Sequence, residues 1–157
     1  MGKTDFSITH QMHLDLVEAY KQVAGACWTQ RQAYERMVLQ PAPRFYVTPK
    51  QAYQIIAPMV RGDFNSVNLM MPMRRKMYYE LYGVVINMIE QKAFIGKSLW
   101  HIMQYAVLQP ASRFYITPDR ARIIRYWVKN GVFDDEGHIR AERLPSYYRS
   151  YKSNQSS

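Results

Sequence analysis

One segment of the chain occurs twice. Residues 38–52 read VLQPAPRFYVTPKQA and residues 107–121 read VLQPASRFYITPDRA, with eleven of the fifteen aligned positions identical at an offset of 69. Unrelated segments match at roughly one position in twenty at ordinary residue usage, so coincidence does not explain the identity. The sequence therefore predicts a tandem duplication of one module of about sixty residues.

The shared residues are typical of helix ends. Thr48-Pro49 and Thr117-Pro118 each provide a hydroxyl side chain that can cap a helix, followed by a proline at its first position. Gly62 and Gly131 stand where these helices should end, because glycine readily adopts the backbone conformation that closes a helix. Each module is thus expected to finish with a helix between its Thr-Pro and its glycine.

Two further helices are predicted in each module. Thr29 with Gln32 fits a capping box that opens a helix to about residue 40, and Ser98 is the equivalent cap in the second copy. Pro41 and Pro110 should end these helices. Before them, the hydrophobic pattern predicts an amphipathic helix over 9–24 and a more apolar one over 72–93.

The segment between the second and third helices is expected to be extended, because prolines and β-forming residues oppose helix. Its alternation should place Phe45 and Phe114 inside the protein. Residues 132–140 have apolar ends around an acidic turn, which indicates a short β-hairpin. The predicted class is therefore mainly α: a duplicated unit of helix, helix, extended Pro-rich linker and helix, with a C-terminal hairpin and tail. The proposed divisions are 1–66 and 67–131 for the two helical modules, 132–143 for the hairpin, and 144–157 for a basic, tyrosine-rich tail.

Two similar modules in one chain are expected to pack as a pseudo-two-fold pair. The tail has too little apolar sequence to form a core alone, so a partner is expected to anchor it.

The charge balance favours polyanionic or acidic partners. The formal net charge is +9, and residues 63–131 alone carry ten basic and four acidic residues, a net +6. A basic surface that only keeps the protein in solution is the competing interpretation. The most apolar stretch, 77–95, contains Glu80 and Glu90, so no membrane span is expected. A single cysteine, Cys27, and an N-terminus without a signal-peptide pattern predict a reducing compartment.

The PAPRFYV element at 41–47 resembles a segment of small uncharacterised proteins from Bacteroidales and their crAss-like phages. The resemblance covers only the two linker-and-cap segments. It implies a prokaryotic or phage setting, hence the cytoplasm or a virion, and it implies no activity.

The sequence offers little catalytic chemistry. His10 and His13 have a spacing that could place two metal ligands on one helix face, but a solvated helix start explains them better. Gly96-Lys97-Ser98 lacks the first glycine and the preceding strand of a phosphate-binding loop. Cys27 has no basic neighbour in sequence that would lower its pKa. We therefore predict no catalytic residues, no metal and no cofactor.

The remaining candidates are binding residues, and each also has a structural interpretation. Arginine beside tyrosine suits phosphate contact and base stacking. In the structural interpretation, the arginine caps the carbonyls of the preceding helix and the tyrosine covers the joint between modules. The helix after the second linker carries four cations that could follow a phosphate backbone. The candidates are Arg44, Tyr46, Arg113 and Tyr115 in the linkers, Arg120, Arg122, Arg125 and Lys129 in the last helix, and Tyr147, Tyr148, Arg149 and Tyr151 in the tail.

These observations predict a non-enzymatic binding protein, a small basic adaptor or structural component of a larger assembly such as a phage or nucleoprotein particle. The expected partner is a protein or a second copy, with nucleic acid as a further possibility and no membrane. The alternative is a free DNA- or RNA-binding protein of helix-turn-helix-like type, such as a regulator. Its linker of eight residues, 41–48, is longer than the usual turn of three or four residues.

Overall fold

The described part of the protein is mainly helical. The computed structural model describes the backbone of residues 2–134 and 138–143, and the side chains from residue 8 onward. The helices are α1 (Gly2–Ala24), α2 (Gln30–Met37), α3 (Pro49–Val60), α4 (Asn65–Asn68), α5 (Pro72–Ile89), α6 (Leu99–Ala106) and α7 (Pro118–Lys129). Two short 3₁₀ turns cover Lys92–Phe94 and Ala141–Arg143.

The predicted caps of the last helix in each module are confirmed. Thr48 Oγ1 accepts a hydrogen bond from Gln51 N at 3.0 Å, and the Gln51 side chain accepts one from Thr48 N at 3.1 Å. Thr117 Oγ1 accepts from Arg120 N at 3.2 Å. Each threonine thus satisfies a backbone N–H that the first helical turn leaves without a partner.

The caps of α2 and α6 are also present, with one difference. Thr29 accepts from Gln32 N at 3.2 Å, and Ser98 accepts from His101 N at 3.1 Å. The Gln32 side chain, however, accepts from Trp28 N at 3.0 Å instead of from Thr29 N. The predicted reciprocal capping box is therefore shifted by one residue, and this bond holds the chain just before α2.

The helices of one sequence module do not pack only with each other. α1 packs against α2, and both pack against α7, the last helix of the second module. α5 packs against α6, and both pack against α3, the last helix of the first module. Each group of three helices therefore contains two helices from one module and the third helix from the other.

The linkers between these groups meet as an antiparallel pair. Ala42 and Ala111 exchange two backbone hydrogen bonds, each of 3.0 Å. Phe45 N then donates to Val107 O at 2.9 Å, and Phe114 N donates to Val38 O, also at 2.9 Å. Both phenylalanine side chains are buried as predicted, with exposed fractions of 1% and 2%. The linkers thus form the joint of the protein and place aromatic rings in a single core.

Several predicted boundaries were wrong. α1 begins at Gly2 instead of near residue 9, and α5 ends at Ile89, before a 3₁₀ turn. The predicted β-hairpin is reduced to one antiparallel bridge, Phe133 with Ile139, and no strand occurs in 2–134 or 138–143. Backbone hydrogen bonds from Asp134 N to His138 O and from Arg140 N to Val132 O flank this bridge, and Val132 and Phe133 also pack against the Trp127 side chain of α7. The expected turn at 135–137 and the tail at 144–157 lie outside the described residues.

Candidate binding surfaces

The arginines of the two linkers bond to their own backbone. Arg44 Nε donates to Phe45 O at 3.0 Å, and its Nη2 donates to Val47 O at 3.2 Å. Arg113 Nε donates to Phe114 O at 3.1 Å. Burial lowers the pKa of the Arg44 guanidinium from its usual value. These cations therefore brace their own linkers, whereas the structural interpretation expected them to cap the carbonyls of the preceding helices.

The linker tyrosines bond to carboxylates on the first helix of each module. Tyr46 OH donates to Asp15 Oδ2 at 2.5 Å, and Tyr115 OH donates to Glu80 Oε2 at 2.7 Å. Glu80 also accepts from the backbone N–H and the hydroxyl of Ser112. Burial is the main cause that raises the pKa of both phenols, with the carboxylate hydrogen bond adding to it. Both hydroxyls stay protonated and are engaged within the chain.

The four cations of α7 do not share one face. Arg125 Nη1 donates to Tyr34 OH at 3.1 Å, and its guanidinium carbon lies 3.7 Å from the centroid of the Tyr20 ring. The Arg120 guanidinium carbon lies 5.9 Å from the Trp127 ring centroid. At 3.6 residues per turn, Arg120 projects about 160° away from Arg122. The expected basic face is therefore divided, and Arg125 is engaged in packing α7 against α1 and α2.

An exposed stripe remains on α7. Arg122 and Lys129 are exposed, and Tyr126 between them is 53% exposed. The three residues lie within about 60° around the helix axis. Tyr126 was not among the predicted binding residues, because the pattern that marked this helix was its four cations. Tyr147, Tyr148, Arg149 and Tyr151, the predicted tail residues, lie outside the described part of the chain.

Large apolar side chains are exposed at positions that the sequence analysis did not select. Trp28 is 94% exposed, Leu69 88%, Met71 78% and Ile95 70%. One signal was available for Trp28, because Lys97 occupies the equivalent position 69 residues later. A position that holds lysine in one copy tends to face solvent in both.

A groove rich in methionine lies where the two linkers meet the start of α5. It has a volume of about 470 Å³. We call it the methionine groove, and it is lined by Tyr46, Val47, Gln51, Met71, Met73, Arg74, Met77 and Tyr115. Both linkers and α3 contribute to its walls, so the groove exists only when the two modules are assembled.

His13 of α1 is buried against the C-terminal segment. It is 5% exposed, and its ring centroid lies 4.3 Å from that of Phe133. Burial lowers the pKa of His13 to about 4, and the positive charges of His10 and Arg120 lower it further in the same direction. In residues 2–134 and 138–143, no three potential ligands come together as a metal site. The expected solvated helix start is therefore wrong for His13, whose ring packs inside the protein.

The His13 environment predicts a dependence of stability on pH. Because its pKa is about 4 in the folded chain and about 6.5 when unfolded, the neutral imidazole stabilises the fold fully above pH 6.5. This contribution, about 3 kcal/mol, should be lost progressively as the pH falls from 6.5 to 4. Urea unfolding at several pH values measures it.

The matched comparison uses two histidine variants. His13→Leu should remove this part of the pH dependence, whereas His101→Gln, at a half-buried position on α6, should keep it. Identical pH profiles for the wild type and His13→Leu would contradict the assignment.

Among the described residues, no helix combines the length and apolar character needed to cross a bilayer. Comparison with protein families, with curated proteins and with solved structures finds no match to this chain.

Proposed function

We propose that the protein is a non-enzymatic binding protein, a small basic adaptor or structural component of a larger assembly. The observation that supports this most directly is the exposure of Trp28, Leu69, Met71 and Ile95. Exposed apolar surface is unfavourable in water, and larger patches of it commonly mark sites where another molecule binds. Thirteen tyrosines and ten methionines supply residue types that are enriched at protein interfaces.

The size of the protein in its native host tests this function. We expect a tagged wild-type chain to elute in a complex well above the mass of an 18.6 kDa monomer. Serine substitution of all four exposed apolar residues should release it as a monomer without changing its melting temperature. A control with Gln22→Ser and Gln54→Ser, both exposed, should remain in the complex. Elution of the wild type as a monomer would reject the proposal.

We also propose that the two modules are structurally equivalent copies that have exchanged their third helices. The paired linker bonds support it, because Phe45 with Val107 and Phe114 with Val38 are related by the sequence offset of 69. The matching caps Thr48 and Thr117 support it in the same way. A single-chain protein of this kind is the fused counterpart of a dimer that swaps a helix.

A second candidate function is nucleic-acid binding, which the exposed stripe on α7 favours. Arg122 and Lys129 flank Tyr126, an arrangement in which two cations can contact phosphates while an aromatic ring stacks on a base. Asp119 lies at the start of the same helix and would oppose a phosphate there.

Salt dependence tests this second function. If α7 binds duplex DNA, the logarithm of the binding constant should fall with the logarithm of salt concentration by about 0.9 per phosphate neutralised. Combined Arg122→Ala and Lys129→Ala substitution should reduce the slope by about 1.8, since it removes two such contacts. Lys50→Ala on α3 should leave the slope unchanged. Binding that does not depend on salt, or no binding at low salt, would exclude this function.

A further inference from the structure

We propose that the methionine groove is the docking site for an acidic, amphipathic segment of a protein partner. The inference rests on the proposed binding function and assigns it a site and a partner chemistry. The groove is open to solvent, has a volume of about 470 Å³, and lies between the linkers and α5. An open groove of this size can accept side chains from one face of a helix, as helix-in-groove recognition requires.

The walls of the groove are fixed before any partner binds. Tyr46 is held by its hydrogen bond to Asp15, and Tyr115 by its bond to Glu80. The Tyr46 ring also lies parallel to Phe114, with 6.0 Å between the ring centroids. Binding of a partner therefore costs little free energy for ordering the two tyrosines, which favours association.

The methionines make the groove apolar and adaptable. Met73 and Met77 are half-buried, whereas Met71 is 78% exposed and neighbours Leu69, which is 88% exposed. Unbranched thioether side chains adjust to apolar groups of different shapes, which is why they occur at binding surfaces for varied peptides. The exposed Met71 side chain, which lines the groove, would be covered when an apolar side chain enters it.

The charge beside the groove selects an acidic partner. Residues 64–79 contain Arg74, Arg75 and Lys76 but no aspartate or glutamate. Arg74 lines the groove, and its guanidinium carbon lies 5.7 Å from the centroid of the Tyr78 ring. The two carboxylates that bond to the tyrosines of the groove, Asp15 and Glu80, are engaged by hydrogen bonds within the chain. Arg74 is the charged residue among those that line the groove, so it can attract a carboxylate on a segment whose apolar face enters the groove.

Other occupants fit these features less well. The chain's own tail carries Arg149 and Lys152 and no acid in 144–157, so the basic residues of α5 would repel it. Nucleic acid offers phosphates to the arginines but no aliphatic group for the methionines. A membrane surface would contact protruding residues such as Leu69 and leave the groove unfilled.

An unbiased peptide selection tests the proposal. Random peptides of about 15 residues, roughly four helical turns, are displayed on phage and selected against the immobilised full-length protein. We expect the enriched peptides to carry net negative charge and at least one large apolar residue. Each selected peptide should bind about tenfold more weakly to Met71→Ser and to Arg74→Glu.

Two exposed positions away from the groove provide matched controls. Leu108→Ser, in the turn after α6, and Lys21→Glu, on α1, change the same kinds of side chain and should leave peptide affinity unchanged. Circular dichroism melting of all four variants checks that each remains folded, as expected for changes at exposed positions.

Several outcomes would overturn the proposal: no enriched peptide, enrichment of basic peptides, or equal binding to the wild type and Arg74→Glu. Sedimentation with phosphatidylcholine and phosphatidylserine vesicles forms a separate arm. If vesicles bind, Arg74→Glu abolishes that binding and no peptide is enriched, the occupant of the groove would be a membrane surface and not a peptide. If the wild type elutes in a large native complex but no peptide is selected, the groove is not the docking site, and the proposed binding function still holds.

Discussion

Replacing Phe45 by alanine should lower the free energy of unfolding by about 3–5 kcal/mol, and replacing Phe114 should lower it by a similar amount. Both rings are at most 2% exposed and belong to the same core. Each substitution removes a large apolar side chain and leaves a cavity at the joint, where the backbone bonds of the linkers restrict collapse.

Urea unfolding followed by circular dichroism measures these effects. Tyr126→Ala provides the control, because this ring is 53% exposed and its removal should change stability by no more than about 0.5 kcal/mol. Changes near zero in the free energy of unfolding for both phenylalanine variants would show that the joint does not depend on these rings.

Separating the two modules should abolish the fold of each monomeric half. In the intact chain, α3 packs against α5 and α6, and α7 packs against α1 and α2. A fragment of residues 1–62 would therefore expose the apolar face of α3 and leave α1 and α2 without their third helix. Since protein stability is a small difference between large terms, loss of these interfaces exceeds what either half can tolerate.

Circular dichroism and size determination of the fragments 1–62 and 63–157 test this expectation. Each fragment alone should be largely unfolded or should self-associate by exchanging helices, and mixing them should restore the helical signal in a one-to-one complex. A full-length chain cleaved after Gly62 by an engineered protease site should, by comparison, stay assembled. Folding of both fragments as monomers would contradict the prediction, because each third helix would then pack within its own module.

The sequence predicted the helices through interactions between close neighbours. Thr48 and Thr117 cap N–H groups only three residues away, so the hydroxyl, the proline and the position were sufficient to place α3 and α7. The burial of Phe45 and Phe114 followed from the alternation of an extended segment. Lys97 in place of Trp28 was the available sign that this position faces solvent.

The candidate surfaces could not be predicted in the same way. Whether Arg125 is available to a ligand depends on its hydrogen bond to Tyr34, which is 91 residues away in the chain. The fixed orientation of Tyr46 depends on Asp15, 31 residues earlier, and that of Tyr115 depends on Glu80. Residue type and spacing place these side chains on their elements, but they do not specify which distant group each one meets.

The sequence by itself thus determined the repeated segment and the caps that begin α2, α3, α6 and α7, because a cap and the proline beside it act over a few residues. Only the tertiary structure decided that α3 and α7 each pack with the other module, that the cations of α7 are divided, and that the methionines form a groove. These features depend on how the two linkers pair, and the pairing is stabilised by contacts such as that between Ala42 and Ala111, 69 residues apart. Contacts at that separation are selected by the free energy of the whole core, which no local pattern encodes.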